Sequence, residues 1–249
     1  MALTKVSADM LADGAGGGGT TFDPTVGDEN PALFDDFLAQ RDGLLLGKLG
    51  WVASLGSGSN ALNRALAGTE TNRAGVLQMT HGSGSGIISS ISLATDSVYL
   101  GASAITLAAA VKIGTVPDGT DNTRFTIGLT NNANPVSVTA GVHFDVFYAT
   151  NTTNWLCTTE SASTATQSDT STAFDTSWVN LRLEINADAS EVKGYINGTL
   201  VATNTTNIPT GAALGPVIAI RNDLGTSTNT LDIDWFYMNY AFGSARGTF

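Results

Sequence analysis

Several side chains in this sequence have the types and spacing for chemistry. Glu184, Asp188 and Glu191 lie close together, and Asp232 and Asp234 stand two apart. Two carboxylates facing one bond are what hydrolysis of a glycosidic linkage requires, one as acid, the other as base or nucleophile. On a strand, Asp232 and Asp234 would share a face about 6.5–7 Å apart, but no third acid accompanies them, and they read as an exposed or loop-bonded pair. His143 and Asp145 also share a strand face. A Ser/His/Asp site would need a serine positioned beside them, and the serines here sit in loops that give no such signal. His81, His143 and Cys157 are far apart and form no zinc pattern. Asp118, Asp121 and Asn122 offer oxygen ligands for calcium without an EF-hand arrangement. The same residues turn a chain well, so this segment reads as a loop. Glycines 14–19 and 82–86 match neither a phosphate cradle nor a dinucleotide fingerprint. No catalytic, cofactor-binding or metal-ligating residue is therefore expected. Trp155, beside Tyr148, Asn151 and Asn154, is the best candidate for stacking on a sugar ring, although a tryptophan in a strand is first a core residue. Cys157, the only cysteine, reads as a small core hydrophobe.

The elements that must position these groups are strands. Val179, Leu181, Leu183 and Ile185 alternate with Asn180, Arg182, Glu184 and Asn186, a period of two with one face buried and one wet. A second run over 191–201 contains Asn197 and Gly198, the pair that supplies both positive-φ residues of a tight hairpin. Strands are expected at 75–80, 86–93, 97–100, 105–113, 124–130, 142–148, 154–159, 178–186, 191–197, 199–203, 215–221 and 230–240. Such spacing, with turn signals between, is that of a sandwich. Residues 34–38 and 44–52 read as strands flanking a turn at Arg41 to Gly43, and 60–67 as polar with one helical turn. In the last strand Leu231, Ile233, Trp235 and Tyr237 should share one face, with Asp232, Asp234, Phe236 and Met238 on the other. Aromatics on both faces suggest cover on both sides, by a neighbouring subunit for instance, although a strand rich in aromatics is more often plain core.

Length and composition set the bounds. The chain has 249 residues, enough for one large sandwich with an arm. Charged residues make up 13% and the net charge is −11. The eleven basic residues form no run, which argues against a nucleic-acid face. No stretch is long and apolar enough to span a bilayer, and the first residues lack the apolar core of a secretory signal. No membrane partner is expected. The motifs at Asn151, Asn197 and Asn204 that match a glycosylation acceptor read as turns. Residues 1–32, with glycines 14–19, form an extended arm with few side chains to pack. The body is one domain over 33–249.

The residues from Trp178 to Asp188, Val192 to Ala202, Thr205 to Pro209 and Leu231 to Tyr237 resemble the second half of a concanavalin A-like (laminin G-like) jelly-roll domain. Phe34 to Leu38, Leu49 to Trp51 and Asn72 to Gln78 are similar to versions found in structural proteins of tailed bacteriophages, and Leu3 to Gly14 resembles phage fibre and collar segments. The resemblance covers about residues 33–242 and implies an all-β antiparallel jelly-roll sandwich. Glycanases of that fold carry Glu-x-Asp-x-x-Glu on one strand, a spacing that Glu184, Asp188 and Glu191 do not match. The resemblance thus implies a non-enzymatic virion protein, foremost a capsid decoration or cement protein anchored by its arm. The alternative is a tail fibre or collar protein with a lectin-like domain that binds host glycan. It further implies a trimer in contact with major capsid or tail proteins.

Overall fold

The computed structural model of the chain describes residues 32–37, 45–56, 61–64, 73, 75–93, 95–118, 122–147, 153–225 and 228–242. The polyglycine arm, the turn expected at 41–43 and residues 119–121 of the expected Asp/Gly/Asn loop lie outside them. Sixteen strands follow one another: β1 (Ala32–Asp35), β2 (Leu45–Leu46), β3 (Trp51–Leu55), β4 (Ala61–Arg64), β5 (Leu77–Thr80), β6 (Ile88–Ser92), β7 (Ser103–Ile113), β8 (Asn122–Thr130), β9 (Gly141–Phe147), β10 (Asn154–Ser161), β11 (Thr164–Ala173), β12 (Val179–Ile185), β13 (Val192–Ile196), β14 (Thr199–Asn204), β15 (Gly215–Leu224) and β16 (Thr230–Phe242). They form two eight-stranded antiparallel sheets. The first runs β14-β13-β12-β7-β16-β5-β4, with β1 also paired to β16; the second runs β11-β10-β9-β8-β15-β6-β3-β2. The expected all-β jelly-roll sandwich is the observed architecture.

The period-two residues do what their spacing demands. Leu181, Leu183 and Ile185 of β12 point into the core, as do Phe125, Ile127 and Leu129 of β8 and Val142, Phe144 and Val146 of β9. Asn197 and Gly198 take φ of 50° and 81° in the β13–β14 hairpin, the tight turn the sequence announces. Trp51 is wholly buried and meets Phe236 edge-on at 4.8 Å and Phe37 at 5.9 Å. Asp35, also wholly buried, accepts hydrogen bonds from the backbone N–H of Phe37 and of Leu49, each at 2.9 Å. That carboxylate ties β1 of the first sheet to the β2–β3 turn of the second.

The expected set of strands needs correction in four places. Residues 97–100 do not form a strand; Val98 makes only an isolated bridge to Leu214. Residues 61–64 are a strand, β4, rather than a helical turn, because β5 offers them a free edge to pair with. The Ser/Thr-rich run 164–173, which falls between the strands expected at 154–159 and 178–186, is a further strand, β11, at the edge of the second sheet. The last strand carries a bulge between Ile233 and Trp235 against β7. A bulge adds one residue and reverses the alternation, so Leu231, Ile233, Phe236 and Met238 all join the core. The bulge leaves Phe236 in the core and turns Trp235 and Tyr237, both partly buried, to the outer face.

Candidate functional site

The outer face of the second sheet, turned away from the sandwich core, carries the polar chemistry. His143 and Asp145 alternate with core residues on β9 and so share this face, as expected. Asp145 is fully buried there. Its Oδ2 lies 2.9 Å from His143 Nε2 and 3.2 Å from Arg124 Nη2, and its Oδ1 accepts from Thr126 Oγ1 at 2.6 Å. Burial alone would raise the carboxyl, but the charges of His143 and Arg124, with hydrogen bonds from His143 and Thr126, outweigh it. They hold Asp145 well below the usual carboxylate range. Burial pushes the neighbouring Glu160 carboxyl up, with His143 opposing and Asp145 reinforcing. A fixed, ionised, inaccessible carboxylate is an anchor for Arg124 and His143, not a general acid.

The β8–β9 connection lies over part of this face. Asn131 holds it closed, its Oδ1 accepting from Thr139 N and Ala140 N at 3.1 and 3.2 Å. The 3-10 turn Pro135–Ser137 is capped by Asn134, whose Oδ1 accepts from Val136 N, and packs against β8 and β15. A recess of about 400 Å³ opens beside this loop. Its floor is Ser54 of β3 and Ile88 and Ser90 of β6. One wall is Asn132 to Asn134, the other Ser85 to Ile87. The second wall is fastened to the end of β15: Gly86 N donates to Asn222 O at 2.6 Å and Ser85 Oγ to Asp223 O at 2.8 Å. Asn132 and Asn134 spend their Oδ1 atoms on the loop's own backbone, so their Nδ2 groups are the donors left to meet a ligand. Hydroxyls, amides and backbone groups around small side chains suit the hydrogen-bonding pattern of a polyhydroxylated molecule. Val52 and Val136, each about half exposed, add apolar surface nearby.

The sequence candidates fall elsewhere. Trp155 is 2% exposed and packs in the core with Phe144 and Cys157, so it cannot stack on a sugar. Burial, with the Asp145 charge adding to it, pushes the Cys157 thiol up to about 12. His81 bonds Gly82 O and Thr123 Oγ1 in a buried structural role. Asp232 is held by Gln78 and Lys112, and Asp234 by Arg73. Each acid is engaged separately rather than facing a shared bond. Burial raises the Asp234 carboxyl, with Arg73 opposing. Glu184 pairs with Arg182 and Glu191 with Lys193 on the outer face of the first sheet. Among the described residues no three His, Cys, Asp or Glu side chains gather as a metal site. The recess itself escaped the sequence reading, because Ser, Gly and Asn from three distant segments carry no spacing signature.

Two antiparallel sheets packed face to face place the chain in the all-β jelly-roll class of sandwiches. Residues 72–234 match the family described as SO2946-like, C-terminal domain, and the chain belongs to that family. Among solved structures, the protein of unknown function SO2946 from Shewanella oneidensis MR-1 is 15% identical with a TM-score of 0.64, over 88% of this chain and 90% of that one. The Emp47p carbohydrate recognition domain is 10% identical with a TM-score of 0.55, over 83% and 93%. A structure of botulinum neurotoxin type C, whose cell entry depends on two ganglioside molecules, is 14% identical with a TM-score of 0.53, over 87% of this chain and 48% of that one. This chain thus spans about half of the toxin chain. At these identities the likeness is one of fold. No curated protein matches the sequence.

Proposed function

We propose that this chain is a non-catalytic glycan-binding module that holds a sugar in the recess of its second sheet. The observation that carries the reading is the recess: neutral hydrogen-bonding groups from three segments around a volume of about 400 Å³, inside the range of about 300–1,000 Å³ typical of small-molecule sites. A carbohydrate recognition domain and a ganglioside-dependent toxin among the structural neighbours support the choice of ligand class. The reading of binding without cleavage is supported by the lining, which among the described residues contributes no carboxylate, and by the burial of Asp145. A glycan array followed by calorimetry tests the reading. Saturable binding lost in Ser54→Trp, which fills an exposed floor position, supports it. Binding that Ser54→Trp leaves unchanged removes the recess from consideration.

The tailed-phage setting rests on the sequence resemblance of residues 3–14 and 34–78. A glycan-binding sandwich fits a tail fibre or collar better than a capsid cement, since host recognition is a tail task. A trimer in the virion belongs to the same reading. Immunogold microscopy of virions with antibody to residues 33–242 decides the position. Label at the tail supports host recognition, and label over the head restores decoration.

A further inference from the structure

We propose that the free edge of β11 is an interface between two copies of this chain. The two edges pair antiparallel about a two-fold axis at Gln167 and join the second sheets of both copies into one.

The backbone of β11 sets this up. Its hairpin with β10 turns through Ala162 and Ser163 at φ of 49° and 63°, a tight two-residue turn whose flanking residues, Ser161 and Thr164, form a hydrogen-bonded pair. Alternation from that pair gives Thr166 and Ser168 to the ladder with β10. It leaves the N–H and C=O groups of Ala165, Gln167 and Asp169 pointing away from the sheet. All three residues are exposed, and among the described residues no backbone hydrogen bond reaches them from the free side. The strand is fixed from within: Thr170 Oγ1 donates to Trp155 O at 2.7 Å, and Asn207 Nδ2 donates to Thr166 Oγ1 at 3.0 Å. Pairing therefore orders little that is not already ordered.

Length and lack of protection set β11 apart from the other edges. Sheets keep their edge strands short, bulged or charged, because unpaired N–H and C=O groups are a template for pairing. The remaining edges comply: β2 has two residues, β1 and β4 have four each, and β14 carries a register shift beside Gly194 and Tyr195. β11 has ten residues, no proline, lysine or arginine, and Asp169 as its single charge. Its one irregularity lies beyond Asp169. Centred on Gln167, the two-fold register sets Gln167 against its own copy and Asp169 against the other copy's Ala165, so the charge never faces itself. The three outward residues of each copy then exchange about six backbone hydrogen bonds.

An axis normal to the sheet leaves both outer faces on one side. Roughly 50 Å of sheet then separates the recess of one copy from that of the other. On the glycan-binding reading the pair is bivalent toward a sugar-bearing surface; the interface itself does not depend on that reading.

Sedimentation velocity of the full chain over a concentration series tests the interface, with Gln167→Pro as the variant. The Gln167 N–H takes no part in the ladder with β10, so proline there spares the fold and removes the central bonds of the pair. The expected result is a mass that rises from one chain to two with concentration. The dimer dissociation constant should be about tenfold or more weaker in Gln167→Pro, with the circular dichroism of the wild type retained. If the variant fails to fold, hydrogen exchange on the wild type decides: the amides of Ala165, Gln167 and Asp169 should gain protection as concentration rises, and those of β14 should not. A single-chain mass at every concentration overturns the proposal, as does a dimer that Gln167→Pro leaves intact. A mass of three chains, or exchange at β11 that concentration does not alter, overturns it too.

Discussion

Asp145 is a buried anion whose partners depend on it more than it depends on them. Asp145→Asn removes the charge that offsets Arg124 and His143 while leaving both in place. Breaking a buried pair from one side costs about 3–5 kcal/mol, and urea unfolding of the variant should show a loss of that order. The same residue gives the fold an acid-sensitive component. Its folded-state pKa is depressed, so its stabilisation is fully present above the unfolded carboxylate pKa of about 3.9 and is lost as pH falls below it. Midpoints measured from pH 6 downward should fall more steeply in the wild type than in Asp145→Asn; parallel curves would show that another group carries the acid sensitivity. Cys157 and Gly194 meet across the sandwich. A Cβ at Gly194 would lie 2.9 Å from Cys157 Sγ and 3.1 Å from the Phe144 ring. Gly194→Val should cost about 1–3 kcal/mol by overpacking. With its thiol pushed up to about 12 and wholly buried, Cys157 should react with a thiol reagent only after denaturation. Rapid labelling of the native protein would contradict that placement.

The bulge in β16 is where an element departs from its sequence pattern, and it makes a test of register possible. Asp234 is the extra residue between Ile233, opposite Val111, and Trp235, opposite Ala110. Deleting it leaves Ile233 and Phe236 facing the core and loses the Arg73 ion pair with the local twist, a change of roughly 1–2 kcal/mol. Deleting Tyr237 instead turns Met238 and all that follows to the wrong face. The first variant should fold by circular dichroism and the second should not. Two folded variants would mean that the end of β16 is not fixed by its inward side chains. This bulge also marks the limit of what the sequence discloses. Alternation in β12 and the Asn197–Gly198 turn were legible because they depend on neighbours within the strand or hairpin. The bulge depends on what β7 and β1 present to β16, which no local pattern records. The edge strand β11 was hidden because its order comes from partners far along the chain: Thr166 Oγ1 bonds Thr206 Oγ1 at 2.7 Å and Asn207 Nδ2 at 3.0 Å. Threonines and serines that would suit a loop become the polar seam closing β11 against β14. The recess was illegible for the same reason, since Ser54, Ser90 and Asn134 become neighbours only once the second sheet has formed.

At the scale of the whole molecule, the core that holds the two sheets together is complete within the described residues from Leu33 onward. Removing residues 1–20 should therefore leave the thermal midpoint unchanged, and any role of the arm should show only in assembly. The net charge of −11 acts over a longer range than any single ion pair. Beyond a Debye length, about 10 Å at 0.1 M salt, exposed charges are largely screened. Self-repulsion of so acidic a surface opposes the compact state, so raising ionic strength from about 0.01 to about 0.15 M should raise the thermal midpoint. A midpoint that falls as salt rises would show that paired charges such as Arg124 with Asp145 and Arg221 with Asp223 outweigh the net charge.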